Sequence, residues 1–236
     1  MATLTSFPFE RLPAELRIQI YQYVFICELP IHIEESETRK CVITAVTSPS
    51  KYGKGAACLD KNDTSLLRTK KTISTEALSV FYAHNTFVFP DLCLFMSFAR
   101  IAKSGRALVR RVVLSSRYDF VYKSLFINST LRIQFPERFI SLQTLEWTLP
   151  TVILSRSYPS YAAKKLNPSI QAFVLFSKTK GARRAQFNKI RFVTNNKPTK
   201  QARGKPGYQT ADEVLRAVKD ELEKLLVKNG VLEPSA

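Results

Sequence analysis

Side chains that could carry out catalysis or bind a metal are few in this sequence. The 236 residues include only two histidines, His32 on a predicted strand and His84 near the end of a predicted helix. There is no GxSxG nucleophile motif, no HExxH zinc motif, no phosphate-binding glycine-rich loop and no aspartate cluster. Only seven glycines are present, which leaves little material for a nucleotide-binding loop. We therefore expect a protein that is not an enzyme and that needs no cofactor.

The four cysteines also give no sign of metal or redox chemistry. Cys27, Cys41, Cys58 and Cys93 lie 14, 17 and 35 residues apart, whereas zinc and redox sites use closely spaced CxxC pairs. Cys27 and Cys93 lie in apolar surroundings, where a thiol behaves as a small hydrophobic residue. We expect both of these to be buried, free thiols.

Positive charge is the strongest chemical signal in the sequence. Lys and Arg number 36 against 19 Asp and Glu, which gives a net charge of +17. Residues 1–60 hold 6 basic and 7 acidic side chains, so the excess lies in the rest of the chain. Such a charge attracts nucleic acid, acidic protein and anionic lipid alike, and it does not distinguish among them.

The basic side chains are densest in residues 177–207, where ten Lys and Arg occur without any acidic residue. This stretch predicts a polyanion-binding or nuclear-targeting loop, and a solvated basic loop is the equally supported alternative. The candidate polyanion-binding residues are Lys178, Lys180, Arg183, Arg184, Lys197, Lys200, Arg203 and Lys205.

A helix near the amino end could present a protein-binding surface. Pro13 suits its first position, because the amide that proline lacks would be unpaired there in any case. Leu12, Leu16, Ile20 and Val24 recur every four residues, which is typical of one face of an amphipathic helix. Packing into the core and docking of a partner helix both fit this spacing, and periodicity alone favours the core.

The stretch 64–89 predicts a second helix that leads directly into a strand. Ile73, Ala77 and Phe81 lie on one helical face, and Asn85 occupies a position where a left-handed turn could end the helix. The four residues that follow are β-branched or aromatic, as strands prefer.

Three later strands share the pattern apolar-x-x-apolar-x-apolar, which resembles the core of a leucine-rich-repeat strand. Their spacings of 33 and 45 residues are irregular, so we predict a degenerate alternation of strands and helices. Such an alternation favours parallel pairing, and a coincidence of common apolar spacings is the alternative. The three matches are Val109, Val112 and Leu114, then Leu142, Leu145 and Trp147, and finally Phe187, Ile190 and Phe192.

These patterns together predict an α+β fold in a single domain, residues 1–236. No apolar run reaches the roughly 18 residues that a membrane helix needs, and the first residues lack the features of a signal peptide. We therefore expect an intracellular protein of the nucleus or cytoplasm, with no membrane partner. Its predicted parts are a helical start (1–29), a loop (48–62), a helix–strand core (64–195), a basic loop (196–209) and a C-terminal helix (210–230).

Two stretches resemble a fungal F-box-like protein family, many of whose members are known only as domains of unknown function. The first, PFERLPAELRIQIYQYVF, contains the Leu-Pro, Glu-Leu-Arg and Ile-Tyr that open that family on one helix. The second, SLLRTKKTISTEALSVFYAHNTFVF, contains its Leu-Leu-Arg, Ile, Glu-Ala, Tyr and Asn-Thr-Phe. Together the two stretches cover about 45 residues of the chain.

The resemblance implies a substrate-recognition subunit of a cullin–RING ubiquitin ligase, with a Skp-type adaptor and a cullin as partners. In such a subunit the amino-terminal helix binds the adaptor and the remaining α/β part recognises the substrate. The adaptor-facing residues that the resemblance implies are Leu12, Pro13, Leu16, Ile20 and Val24. The alternative function is a basic nuclear protein that binds nucleic acid or another polyanion, such as an acidic protein, through its C-terminal half.

Overall fold

The structure of the protein is a computed structural model. It describes residues 8–35, 43–46, 70–90, 92–115, 139–149, 158–175, 177, 179–194 and 210–234. The described strands are β1 (Ile31–Glu35), β2 (Ile43–Val46), β3 (Thr86–Phe89), β4 (Arg111–Ser115), β5 (Thr144–Leu149) and β6 (Ile190–Thr194). The described α-helices are α1 (Ala14–Phe25), α2 (Lys71–His84), α3 (Leu92–Ile101), α4 (Tyr158–Leu175), α5 (Lys180–Asn188) and α6 (Ala211–Lys228).

These strands form one sheet in the order β2-β1-β3-β4-β5-β6. β2 runs antiparallel to β1, and the other five strands run parallel to one another. Parallel neighbours need a crossover that returns the chain to the same end of the sheet. α3 lies in the connection from β3 to β4, and α4 and α5 lie in the connection from β5 to β6. The predicted α+β fold, with helices and strands alternating around a parallel sheet, is confirmed.

The repeated apolar pattern accounts for the register of the sheet. Val112 on β4 pairs with Leu145 on β5, which pairs with Ile190 on β6, and all three side chains are buried. Two residues further along, Leu114 and Trp147 pair in the same way. Equivalent positions of the pattern therefore stack across the sheet as rows of the core.

Helices α2 and α3 cover the face of the sheet that carries these core rows. The ring of Phe87 on β3 lies 5.4 Å from that of Phe81 on α2 and 5.4 Å from that of Phe98 on α3. Phe89, two residues along β3, contacts Phe95 of α3 at 5.0 Å between ring centroids. Apolar residues of α4 and α6 belong to the same buried cluster, so the core extends along the sheet.

Asn85 does not form the left-handed turn predicted at the end of α2. Its φ of −89° and ψ of 156° are those of extended backbone, which allows the chain to enter β3 at the next residue. The side chain is buried, and its Nδ2 donates to the carbonyl oxygens of Phe25 at 2.7 Å and Phe81 at 2.9 Å. Its Oδ1 accepts from the backbone N–H of Cys27 at 2.8 Å. Asn85 thus ties the end of α1 to the end of α2.

The region before β6 differs from the prediction in one respect. Phe187, expected at the start of a strand, lies in the last turn of α5, and the strand begins at Ile190. The hydroxyl of Thr179 caps the first turn of α5 by accepting from the backbone N–H of Ala182, which stabilises the start of the helix. The predicted C-terminal helix is confirmed as α6, with the expected capping box between Thr210 and Glu213.

Cys27 is disulfide-bonded, so the prediction of a free thiol at this residue is wrong. The prediction rested on spacing along the sequence, which does not show how the fold brings distant cysteines together. The side chain of Cys93 and the predicted loops 48–62 and 196–209 lie outside the described residues.

Candidate protein-interaction surface

The first helix has one side in the core and another exposed. Tyr21 and Phe25 are fully buried, and the Phe25 ring contacts the ring of Phe81 on α2 edge-on, with 6.4 Å between centroids. Tyr21 contacts Phe9 from the preceding short 3₁₀ helix at 5.7 Å. These aromatic contacts fix which side of α1 faces α2.

Polar contacts reinforce the packing of α1 on α2. The guanidinium of Arg17 donates two hydrogen bonds to the carboxylate of Glu76, from Nη2 to Oε1 at 2.7 Å and from Nε to Oε2 at 3.0 Å. The hydroxyl of Tyr21 donates to the same Oε2 at 3.1 Å. Arg17 Nη1 also donates to the backbone carbonyl of Leu12 at 2.7 Å, which holds the chain that enters α1. Two-point pairing of this kind sets the orientation of both groups.

These contacts change the pKa values of Glu76 and Tyr21. The hydrogen bond from Arg17 lowers the pKa of Glu76, because it stabilises the ionised carboxylate. Burial of the Tyr21 hydroxyl, together with its hydrogen bond to Glu76, raises the pKa of Tyr21 to about 12. Glu76 is therefore held as the anion and Tyr21 as the neutral phenol near neutral pH.

The opposite side of α1 carries apolar side chains that face outward. Leu16 is 44% exposed, Ile20 is 37% exposed and Tyr23 is 92% exposed. Because an α-helix turns 100° per residue, spacings of four and three place these three side chains along one line. We call Leu16, Ile20 and Tyr23, with the exposed Pro13 at the start of the helix, the α1 stripe.

The α1 stripe includes three of the five residues predicted to face a protein partner. Pro13, Leu16 and Ile20 are exposed, whereas Leu12 is half-buried and Val24 packs against the core. Tyr23 is the exposed residue that the sequence analysis missed. Its position three residues after Ile20 is the signal that could have identified it, because i+3 neighbours share a helical face.

The predicted polyanion-binding residues within the described part of the chain lie on α5, and they contact groups of the protein itself. Arg184 forms an ion pair with Glu223 of α6 and donates to the backbone carbonyl of Glu233. Lys180 lies 3.6 Å from the carboxylate of Glu233, and Arg183 Nε donates to the carbonyl of Ser177 at 2.9 Å. Lys178, Lys197, Lys200, Arg203 and Lys205 lie outside the described residues.

The two histidines belong to different elements of the fold. His84 is exposed in the last turn of α2, and His32 is half-buried on β1. Over the described residues, no three His, Cys, Asp or Glu side chains group in a way that could hold a metal ion. In the same part of the chain, no helix is both long enough and apolar enough to cross a membrane.

Comparison with known families identifies the first half of the chain. Residues 3–123 match the family model described as Domain of unknown function (DUF7730), which is just over half of the sequence. The chain belongs to this DUF7730 family. The matched segment contains α1, α2, β3, α3 and β4, so it includes both helices of the Arg17–Glu76 pair and the α1 stripe. No significant match was found among curated proteins or among solved structures.

Proposed function

We propose that this DUF7730-family protein is a non-enzymatic protein-interaction module of the F-box type, and that its first helix docks the Skp-type adaptor of a cullin–RING ubiquitin ligase. The observation that supports this proposal is the α1 stripe. Leu16 and Ile20, which the resemblance to F-box-like proteins implies as adaptor contacts, are exposed on a helix whose opposite side is fixed in the core. The α/β part of the chain is then the region that recognises a substrate.

The form of the α1 stripe suits a helix-binding partner. Apolar side chains at positions i, i+4 and i+7 are the anchors that an apolar groove or a partner helix accepts. Contiguous exposed apolar side chains of this kind mark interaction sites on soluble proteins. Ile26 and Leu29, which follow α1 in the chain, are also exposed, at 39% and 57%.

The packing of α1 also favours binding. Arg17, Tyr21 and Phe25 hold the helix against α2 before any partner arrives. A preformed helix loses less conformational entropy on binding than one that folds on its partner.

Co-purification of the full chain with a Skp-type adaptor and a cullin tests this proposal. The variant Leu16→Asp/Ile20→Asp places two carboxylates on the stripe and is expected to abolish adaptor binding while circular dichroism stays that of the wild type. A matched control is Ile101→Asp/Ile140→Asp, at residues that are 52% and 72% exposed elsewhere on the surface. The control is expected to bind as the wild type does. Absence of any adaptor from the wild-type complex would refute the proposal.

A second candidate function, binding of nucleic acid in the nucleus, is favoured by the net charge of +17. Lys180 and Arg184 form ion pairs with Glu233 and Glu223, so nucleic-acid binding would depend on the other basic residues. Counterion release would make the affinity for DNA or RNA fall steeply as salt increases. An absent or salt-independent affinity would remove this candidate.

A further inference from the structure

On the second face of the parallel sheet, the described residues nearest the amino ends of the strands are mostly charged or polar. Side chains alternate between the two faces of a strand, so the residues between the core positions point away from the buried rows. The first positions along β3, β4, β5 and β6 on this side are exposed or half-buried. We call them the open sheet face, which consists of Thr86, Arg111, Val113, Thr144, Glu146 and Arg191.

The register of the sheet places these residues in two adjacent rows. Thr86 pairs with Arg111, and Arg111 pairs with Thr144. In the next row Glu146 of β5 pairs with Arg191 of β6. Neighbouring strands lie about 4.8 Å apart and alternate residues about 6.7 Å apart, so the Cα atoms of Arg111 and Arg191 are separated by roughly 12 Å.

Burial on this side of the sheet differs between its two edges and its two ends, and Val88 in the second row pairs with Val113. Val88 and Thr148, the next positions on the same side of β3 and β5, are both buried, at 7% and 2% exposure. A ligand would therefore rest on the amino-terminal part of the strands, where Arg111 and Arg191 are exposed.

The arginines of this face differ from the other arginines discussed above. Arg17 and Arg184 are engaged by carboxylates of α2 and α6. The guanidinium groups of Arg111 and Arg191 form no hydrogen bond or ion pair with another described residue. Two exposed guanidinium groups on a rigid sheet are suited to binding carboxylates, because each offers a planar fork of donors.

We infer that the open sheet face binds an acidic peptide segment in extended conformation, with carboxylates that reach Arg111 and Arg191. In an extended peptide, acidic residues four positions apart lie on the same side and are separated by about 13 Å, which is close to the distance of roughly 12 Å between the two arginines. Thr86 and Thr144 add hydroxyl groups that can hydrogen-bond a peptide backbone. This inference concerns a different surface from the α1 stripe and stands without the adaptor proposal.

A peptide fits this face better than a nucleic acid does. Glu146 stands beside Arg191, and its carboxylate would repel a continuous phosphate backbone, whereas a peptide can place a neutral residue or a lysine there. The aromatic side chains of these strands, Phe87, Phe89, Trp147 and Phe192, lie on the side of the core. The open sheet face therefore lacks the aromatic platforms on which single-stranded bases stack.

Fluorescence anisotropy with the full-length protein tests this inference. The probe is a fluorescein-labelled peptide of ten residues, with glutamate at every fourth position and Gly and Ser elsewhere, beside the same peptide with glutamine. The wild type is expected to bind the glutamate peptide at least tenfold more tightly than the glutamine peptide. The variant Arg111→Glu/Arg191→Glu is expected to lose at least tenfold of that affinity, and Glu146→Gln to gain a few-fold.

A charge-matched control separates a specific site from the general positive charge of the protein. Arg100 of α3 and Arg216 of α6 are exposed arginines on helices. Both Arg100→Glu/Arg216→Glu and the open-face variant change the net charge from +17 by four units. The control is expected to lose less than threefold in affinity. Equal losses in the two variants, or no binding by the wild type, would overturn the inference.

Two further measurements distinguish a peptide from a nucleic acid and a lost contact from a lost fold. A ten-nucleotide thymidine strand that binds more tightly than the peptide and depends on the same two arginines would overturn the peptide in favour of nucleic acid. Circular dichroism checks the folding of each variant. If the glutamate variants fail to fold, Arg111→Gln/Arg191→Gln against Arg100→Gln/Arg216→Gln carries the same comparison.

Discussion

Arg17 and Glu76, 59 residues apart in the sequence, form a two-point ion pair that joins α1 to α2. Arg17 belongs to the Glu-Leu-Arg of the first stretch that resembles F-box-like proteins, and Glu76 belongs to the Glu-Ala of the second. Tyr21 from the first stretch and Asn85 from the second join the same interface. Four residues of the two stretches that carry the resemblance, Arg17, Tyr21, Glu76 and Asn85, thus hold the two helices together. Pro13, Leu16 and Ile20 of the α1 stripe belong to the same first stretch but lie outside this hydrogen-bond network.

The Arg17–Glu76 pair predicts a dependence of stability on acidic pH. The pKa of Glu76 is lowered in the folded protein, so its contribution to stability is present above the ordinary glutamate pKa and is lost as the pH falls through the folded value. We expect Glu76→Gln to be less stable than the wild type at neutral pH and to show a flatter decline in the free energy of unfolding below about pH 4.5. Urea titrations at a series of pH values measure this. The exposed Glu28→Gln is the control, and identical pH profiles for Glu76→Gln and the wild type would contradict the prediction.

The raised pKa of Tyr21 predicts that the free energy of unfolding also depends on pH in the alkaline range. Its pKa is raised from 10.0 to about 12, so its contribution is complete below pH 10 and is lost as the pH rises towards 12. Tyr21→Phe removes the ionisable group and should make the unfolding free energy less sensitive to pH in that window. Tyr23→Phe, at a residue that is 92% exposed, is the matched control. A steeper alkaline decline in Tyr21→Phe than in the wild type would show that the phenol is not held neutral by the fold.

Asn85 predicts a large loss of stability on truncation. Asn85→Ala removes three hydrogen bonds and leaves the backbone groups of Phe25 and Cys27 without this partner. Buried groups that lose their partner retain the cost of desolvation, so we expect the free energy of unfolding to fall by about 3 kcal/mol. Asn188→Ala, at an exposed position at the end of α5, should change it by less than about 0.5 kcal/mol. Urea unfolding of both variants tests this, and equal effects would mean that Asn85 has no special role.

Substitution by alanine is expected to have opposite effects on stability at Gly105 and Gly181. A Cβ at Gly105 would lie 2.1 Å from Cε2 of Tyr82, and Tyr82 is itself packed against Phe81 and Phe98. Gly105→Ala should therefore destabilise the fold by about 1–3 kcal/mol through overpacking. Gly181 in α5 has open space at the Cβ position, so Gly181→Ala should be neutral or stabilise by up to about 1 kcal/mol. Thermal unfolding that ranks the two variants in the reverse order would contradict this packing.

The sheet could be predicted from the sequence because its signal is local. Val112 and Leu114, like Leu145 and Trp147, alternate with outward residues at the period of a strand, and the structure pairs them as that pattern suggests. α5 could not be predicted in the same way, since between Lys180 and Asn188 it has one buried residue, Phe187, and no apolar stripe. The capping hydroxyl of Thr179 was the available signal.

The candidate surface was predicted in part, for a geometric reason. A spacing of four residues turns by about 40° per step around a helix, so a row from Leu12 to Val24 drifts out of one face. Its middle members, Leu16 and Ile20, are exposed, and its ends are half-buried. Which side of α1 faces the core is decided by Tyr21 and its contact with Glu76 on another helix, and a periodicity within α1 does not contain that information.

One pair of measurements on the same variants tests most directly the claim that the α1 stripe binds an adaptor while the residues behind it hold the fold. Leu16→Asp/Ile20→Asp and Glu76→Ala are compared with the wild type for urea stability and for affinity to a purified Skp-type adaptor. The stripe variant is expected to keep wild-type stability and lose adaptor binding, whereas Glu76→Ala loses stability and binds while it remains folded. A stripe variant that binds the adaptor as the wild type does, or that unfolds, would contradict the division of α1 into a binding side and a structural side.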